Sequence, residues 1–313
     1  MSPSELFPQT ARDEARRLIE WALREDLGPG WPEGGGDLTS HSVVPATATG
    51  QARFVSRESG VLCGIQVCPL VLEQAAPGVQ LAGLVEDGQA VEPGQPLAVL
   101  SGPARQILLA ERTCLNFLGR LSGISSLTRK FVEQIQGTRA RLFDTRKTTP
   151  GWRNLEKYAV ACGGGHNHRM GLFDAVLIKD NHLALMDALT DPPLAELPDS
   201  VAAARHWIDE HAGNLPAGRN TTVQVEVDTL EQLAAVLPAG PDIVLLDNMG
   251  PDELETAVGL RDREQPQVQL EASGGVNLQS IGMIARTGVD RISVGALTHS
   301  AVNFDIGLDW QPA

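Results

Sequence analysis

A chain of 313 residues with 39 acidic and 25 basic side chains carries a formal charge of −14, which repels nucleic acid and anionic membrane surfaces as general partners. Its 42% hydrophobic and 20% charged content is that of a globular chain long enough for two domains, or for one barrel plus a smaller unit. Four scattered cysteines, Cys63, Cys68, Cys114 and Cys162, are too few for a disulfide framework, so reduced thiols in a cytoplasmic protein are expected.

The N-terminus lacks the basic-then-apolar pattern of a signal peptide. No apolar run approaches the ~18 residues of a membrane span. Thr10 to Asp13 reads as a capping box, and Ala15, Leu18, Ile19, Ala22 and Leu23 follow helical spacing, which predicts a helix over 11–25. The turn-rich segment Gly28–Gly36 stops it. From Val43 to Leu100 short β-like runs appear at 51–55, 61–67, 79–85 and 97–100, separated by glycine and proline. Pro103 suits the first turn of a helix over 103–122. On that helix Ile107, Leu108, Cys114, Leu115, Leu118 and Leu121 share one arc, and Arg105, Arg112, Asn116 and Arg120 the other.

Beyond this point apolar runs at 140–144, 175–179, 223–227, 242–247, 268–272 and 291–295 alternate with helical segments. Among these segments are Leu230–Leu237 after a Thr229 cap, Leu278–Arg286 after Asn277, and one helix near 201–210. Strand–helix alternation predicts a parallel α/β domain, either an open sheet or a barrel. The N-terminal part, 1–125, is expected as a separate domain onto which the C-terminal segment packs back, with 126–313 as the catalytic one.

Charge is distributed unevenly. All four lysines lie between Lys130 and Lys179, and thirteen of the 25 basic residues fall in 105–179 against five acidic ones. In an acidic chain this local excess marks a pocket for a strongly anionic small substrate. The six runs end in Asp144-Thr145-Arg146-Lys147, Lys179-Asp180-Asn181, Glu226-Val227-Asp228, Asp247-Asn248, Ser273-Gly274-Gly275 and Val294-Gly295-Ala296. Ligands of parallel α/β domains bind at these carboxyl ends. The two glycine-bearing ends suit phosphate, because glycine admits close backbone approach. Glu226 and Asp247 suit Mg²⁺, sugar hydroxyls or a developing cation; pairing with Lys147 and Lys179 is the alternative. Arg146 and Arg169 offer forked donors to carboxylate or phosphate. Cys162, His166, His168 and His182 lack the ligand spacing of structural zinc sites, and neither a P-loop nor a dinucleotide fingerprint is present.

Several of these stretches together resemble the quinolinate phosphoribosyltransferase family. They are Glu25-Asp26-Leu27 with Gly36–Ser40, Ala110–Leu118 with Leu121–Ile124, Asp144–Gly151, Gly163–Arg169, Ile178–His182, Glu226–Asp228, Leu246–Asn248, Glu271–Gly275 and Ser293–Gly295. They span nearly the whole chain in family order, and the Gly28–Gly35 insertion is the main departure. The resemblance implies an N-terminal open α/β sandwich and an incomplete parallel α/β barrel. It also implies a pentosyltransferase that joins quinolinate to phosphoribosyl pyrophosphate with loss of CO₂, using Mg²⁺, in a cytoplasmic homodimer with shared active sites. By that carry-over Arg112 reaches the partner's site and joins Thr145, Arg146, Lys147, His168, Arg169 and Lys179 around the quinolinate carboxylates. Glu226 and Asp247 face ribose and metal, and Lys147, Lys179, Glu226 and Asp247 form the catalytic set. Ser273, Gly274, Gly275, Val294, Gly295 and Ala296 take the phosphate end. A nicotinate-specific relative and a non-catalytic sensor of a phosphorylated metabolite are the other readings.

Overall fold

The computed structural model describes residues 7–28, 30–31, 36–189 and 197–311; most of the Gly28–Gly35 insertion and part of the 187–222 connection lie outside them. In chain order the elements are α1 (Gln9–Leu27), α2 (Leu38–Val43), β1 (Thr49–Ser56), β2 (Gly60–Val61), α3 (Cys68–Ala75), β3 (Gln80–Gly83), β4 (Ala90–Val91), β5 (Pro96–Pro103), α4 (Ala104–Gln134) and β6 (Arg141–Phe143). They continue with α5 (Arg153–Cys162), β7 (Ala175–Ile178), α6 (Asp180–Leu189), α7 (Leu197–His211), β8 (Thr222–Val227), α8 (Leu230–Val236), β9 (Ile243–Asp247), α9 (Pro251–Glu264), β10 (Gln269–Ser273), α10 (Ile281–Arg286), β11 (Arg291–Ser293), α11 (Ala296–His299) and β12 (Ile306–Gln311). Two compact units result. The first comprises 1–129, 147–165 and 297–313, and the second 130–146 and 166–296. Besides the C-terminal segment, 147–165 also belongs to the first unit, which a single cut at 125/126 does not capture.

The first unit carries an antiparallel sheet of order β12-β1-β5-β3. The C-terminal strand closes one edge, with Phe54 opposite Leu308. α1 forms where helical spacing predicts it and buries Ala11, Ala15, Ile19 and Leu23. Its N-cap, however, is Pro8 and not Thr10. The Pro8 carbonyl accepts the Arg12 N–H at 3.1 Å, the first bond of the helix, so the cap lies two residues upstream. The apolar run 61–67 is not a strand beyond Val61. Its backbone is satisfied by side chains instead: Cys63 N–H donates to Ser122 Oγ at 2.9 Å and Ile65 N–H to Asp87 Oδ1 at 2.9 Å.

α4 extends twelve residues beyond the predicted 103–122 end. The glycines, serines and threonine around that point are compatible with helix. Ser125 and Thr128 hydroxyls donate back to the carbonyls of Leu121 and Ile124 at 3.1 and 2.8 Å, a bonding mode compatible with helix. Gly119 and Gly123 let the 302–304 backbone approach, since a Cβ at Gly119 would sit 3.1 Å from the Phe304 carbonyl oxygen and one at Gly123 would overlap that of Val302. Of the basic arc on α4, Arg105 donates to the Val44 carbonyl at 2.8 Å, and Arg120 pairs with buried Glu156 at 2.6 Å. Arg112 is exposed. The four cysteines are buried and unbridged.

The second unit is a six-stranded parallel sheet of order β6-β11-β10-β9-β8-β7. This is the cyclic order of an α/β barrel opened between β6 and β7, the two strands consecutive in sequence. The strands fall on the predicted runs. Ile243–Leu246 is buried throughout, as expected for a strand covered on both faces. Thr229 caps α8 with a reciprocal capping box to Gln232. α10 starts at Ile281 and not at Leu278, because the Asn277 side-chain amide Oδ1 accepts from Gln279 and Ser280 N–H in a turn of its own. The exposed edge of β6 is partly covered by the 166–168 segment: His166 N–H donates to Leu142 O at 2.8 Å and Asp144 N–H to His166 O at 3.0 Å.

At the opposite end of this sheet Asp290 gathers buried Arg261 at 2.6 Å, Leu270 N–H at 2.9 Å, and Arg139. Burial alone would raise its pKa, but these donors hold it below the usual carboxylate value. Such a group stabilises the fold above the unfolded pKa near 3.8, and the contribution fades as pH falls through the lower folded value. Asp290→Ala leaves the buried Arg261 guanidinium only Asp262 and the Val268 carbonyl and is expected to cost about 2 kcal/mol at neutral pH. Urea unfolding measures this, and the gap to wild type should narrow below about pH 4.

Candidate active site

Register places the inward-facing side chains in rows. Glu226 lies opposite Leu245, Leu245 opposite Glu271, and Glu271 opposite Arg291, which itself pairs with Arg141. Because facing alternates with period two, these five share one face of the sheet. Two residues further along, Asp247, paired with Ser273, lies on the same face at the carboxyl end of β9. Lys179, one residue past β7, forms an ion pair with Glu226. The carboxylate–lysine pairing left open by the sequence is therefore present at this pair.

Asp247 is oriented locally. Asn248, at φ 56° the one non-glycine residue with positive φ among those described, donates from Nδ2 to Asp247 Oδ2 at 2.7 Å, and its N–H donates to the Ser273 carbonyl at 2.9 Å. Asparagine tolerates this left-handed conformation better than most residues. Gly274, at φ 88°, is pressed against it: a Cβ there would stand 2.6 Å from Asn248 Cγ and 2.9 Å from its backbone nitrogen. Gly274→Ala is thus expected to push Asn248 off Asp247 and to lower kcat about a hundredfold, an effect of ~3 kcal/mol. Steady-state rates beside a circular-dichroism melt separate this from unfolding. Gly275 also has positive φ, at 59°. Val294 N–H donates to Phe143 O at 2.9 Å, and α11 begins directly at Ala296 after Gly295. After β10, by contrast, the Asn277 turn intervenes before α10.

The basic groups cluster past the end of β6. Arg146 Nε is buried without a hydrogen-bond partner. Arg169 donates to the Ala175 carbonyl at 3.0 Å. Burial lowers its pKa first and the Arg146 charge lowers it further, with Asp174 opposing. Two guanidiniums close enough to repel, one with an unspent donor, are an arrangement suited to an anion. The neighbouring Asp144 is fully buried and accepts the His168 N–H at 2.8 Å. His168 is buried, with Nε2 3.4 Å from Glu271 Oε1. Thr145 lies between Asp144 and Arg146 in the second unit, whereas Arg112 and Lys147 belong to the first, where the Lys147 carbonyl accepts from Thr298 at 2.8 Å.

The residues that no charge pattern picked out are Glu271 and Arg291, joined at 2.6 Å. Glu271 sits mid-strand, away from the strand end that drew attention. Its signal was a carboxylate inside an apolar run, which is rare unless paired.

Two family models cover the chain: the quinolinate phosphoribosyl transferase N-terminal domain over residues 37–122 and the C-terminal domain over 124–309. The chain belongs to the quinolinate phosphoribosyltransferase family. Within the family it is 44% identical to the nicotinate-nucleotide pyrophosphorylase (carboxylating) of Mycobacterium leprae, covering 95% of this chain and 97% of that one. It is 36% identical to a probable nicotinate-nucleotide pyrophosphorylase (carboxylating) of Bacillus subtilis over 95% and 93% of the two chains. The solved nicotinate-nucleotide pyrophosphorylase of Francisella tularensis superposes with a TM-score of 0.83 at 37% identity, over 96% of each chain. The family's small sheet domain followed by a parallel-sheet domain is the architecture described above.

Proposed function

We propose that this family member is a pentosyltransferase that transfers the phosphoribosyl group of phosphoribosyl pyrophosphate to quinolinate, releasing pyrophosphate and CO₂ and leaving nicotinate mononucleotide, a step of NAD biosynthesis. The observation that carries this reading is the Arg146/Arg169 pair placed in the same unit as two inward carboxylates, Glu226 and Asp247. A dicarboxylate needs more than one fork, and a ribosyl cation needs anions. Arg146, Arg169, Thr145 and Lys179 take the quinolinate carboxylates, with Arg112 supplied by the partner in a homodimer. The exposure of Arg112 on α4 supports that role.

The ring nitrogen of quinolinate attacks C1′ of the ribose as the bond to pyrophosphate breaks. Positive charge develops on the sugar, where Glu226 and Asp247 stabilise it. Once alkylated, the ring accepts the electron pair left by the departing 2-carboxylate, and a proton from solvent replaces CO₂. No covalent nucleophile is required. Ser273, Gly274, Gly275, Val294, Gly295 and Ala296 offer backbone donors to the phosphate end.

The donor set fits Mg²⁺ arriving with the pyrophosphate. Among the described residues no three His, Cys, Asp or Glu side chains form a metal cluster, and Mg²⁺ is ordinarily held by one or two carboxylates, waters and substrate phosphates. Glu226 and Asp247 supply those carboxylates, and the bound ion would neutralise charge on the leaving pyrophosphate. Four unbridged cysteines support a reducing compartment, the cytoplasm.

Incubation with quinolinate, phosphoribosyl pyrophosphate and Mg²⁺ tests the reading. Nicotinate mononucleotide, pyrophosphate and CO₂ in equal amounts are expected. Binding without turnover, or turnover of nicotinate with no CO₂ from quinolinate, would overturn it.

A further inference from the structure

We infer that Glu271, fixed by Arg291, is a positioning residue that sets Arg169 through the imidazole of His168. This rests on the reading of Arg169 as a quinolinate ligand. Glu271 is fully buried in β10, directly opposite Arg291 in β11. Arg291 Nε donates to its Oε2 at 2.6 Å, and the guanidinium carbon lies 3.5 Å from the centre of the Phe143 ring. The carboxylate is thereby immobilised, with Oε1 facing His168 Nε2 at 3.4 Å, a distance at which attraction is chiefly electrostatic. Burial would raise the Glu271 pKa, but His168 and Arg291 hold it below the ordinary value, so the group facing the imidazole is an anion.

The other face of the ring decides the tautomer. Arg169 N–H donates to His168 Nδ1 at 2.8 Å. A nitrogen that accepts carries no proton, so the ring hydrogen resides on Nε2 and points at Glu271. Protonation of Nδ1 would set two donors against each other. An anion at Nε2 selects the tautomer that keeps Nδ1 bare, as a carboxylate behind a histidine does in catalytic triads and metal sites. His168 N–H is in turn anchored on Asp144 Oδ1 at 2.8 Å. The chain Arg291–Glu271–His168 thus ends on the backbone of Arg169, whose side chain is tethered at the Ala175 carbonyl.

Glu271→Gln is the discriminating variant, because it keeps the shape of the site and an oxygen for Arg291. Its amide nitrogen then faces Nε2 as a donor and drives the ring proton to Nδ1. Histidine-selective heteronuclear NMR should show His168 as the Nε2–H tautomer in wild type and not in the variant. The KM for quinolinate should rise about tenfold, the value of one displaced hydrogen bond in a polar network, while the KM for phosphoribosyl pyrophosphate stays near wild type. A wild-type ring proton on Nδ1, or an unchanged quinolinate KM in the folded variant, overturns the inference. Should the variant fail to fold, the wild-type tautomer alone decides the relay. Wild-type protein that turns over no quinolinate would instead sink the proposed function, and the tautomer measurement would still report on the relay.

Discussion

Replacing Arg146 with alanine is expected to lower kcat/KM for quinolinate about a thousandfold, while the melting temperature holds or rises. The two effects have opposite signs for one reason. Arg146 keeps a buried Nε without a partner, and after burial its charge is what further depresses the neighbouring Arg169. Without an anion this arrangement is unfavourable on both counts, a desolvated donor and a like-charge contact. Both costs are offset when an anion arrives. Alanine removes the repulsion from the folded state and also the fork that binds the anion. A charge-assisted hydrogen bond contributes about 1.5–3 kcal/mol, so losing two amounts to ~4 kcal/mol, or three orders of magnitude. Arg146→Lys restores the charge without the fork and should recover only part of the loss. Steady-state kinetics beside thermal melts check this; a variant that is both destabilised and fully active would exclude the assignment.

Lys179→Ala is expected to cost between two and three orders of magnitude in turnover and little in stability. Its ammonium pairs with Glu226, but 41% of the side chain is exposed, and solvent-screened pairs contribute up to about 1 kcal/mol. The catalytic cost is larger because, in the proposed function, Lys179 both meets the substrate anion and keeps Glu226 aimed along the inner face. Without it Glu226 is free to turn, and the substrate faces a carboxylate with its counter-charge removed. Rates and chemical denaturation measured on the same preparation separate the two effects. Near-wild-type turnover in a folded variant would remove Lys179 from the catalytic set.

Much of this was legible in the chain because it depends on local physics. The spacing of apolar residues reports whether a segment alternates or winds, and the six parallel strands fall on the runs that spacing marked. Thr229 as a cap follows from the same short-range chemistry. Errors arose where a residue type has more than one use. The helix α4 runs on past its expected end at 122 through Gly123, where another backbone needs the missing side chain. The run 61–67 had the apolar content of a strand, and side-chain hydroxyl and carboxyl groups took over the hydrogen bonds a partner strand would have supplied.

At the site the same division holds. That Arg146, Lys179, Glu226 and Asp247 close their strands is visible in one dimension, as is the gathering of positive charge between Arg105 and Lys179. The sequence by itself determined which groups stand at the strand ends, since charge type and strand position are both local. Which groups meet was decided only by register. Glu271 and Arg291 are ordinary strand residues until β10 and β11 align in parallel and place them opposite each other. β12 finds β1 across more than two hundred residues, and β6 and β7, neighbours in the chain, become the two edges of one sheet. Such pairings exchange loop-closure entropy for burial and hydrogen bonds over the whole fold, a balance that no single stretch of sequence contains.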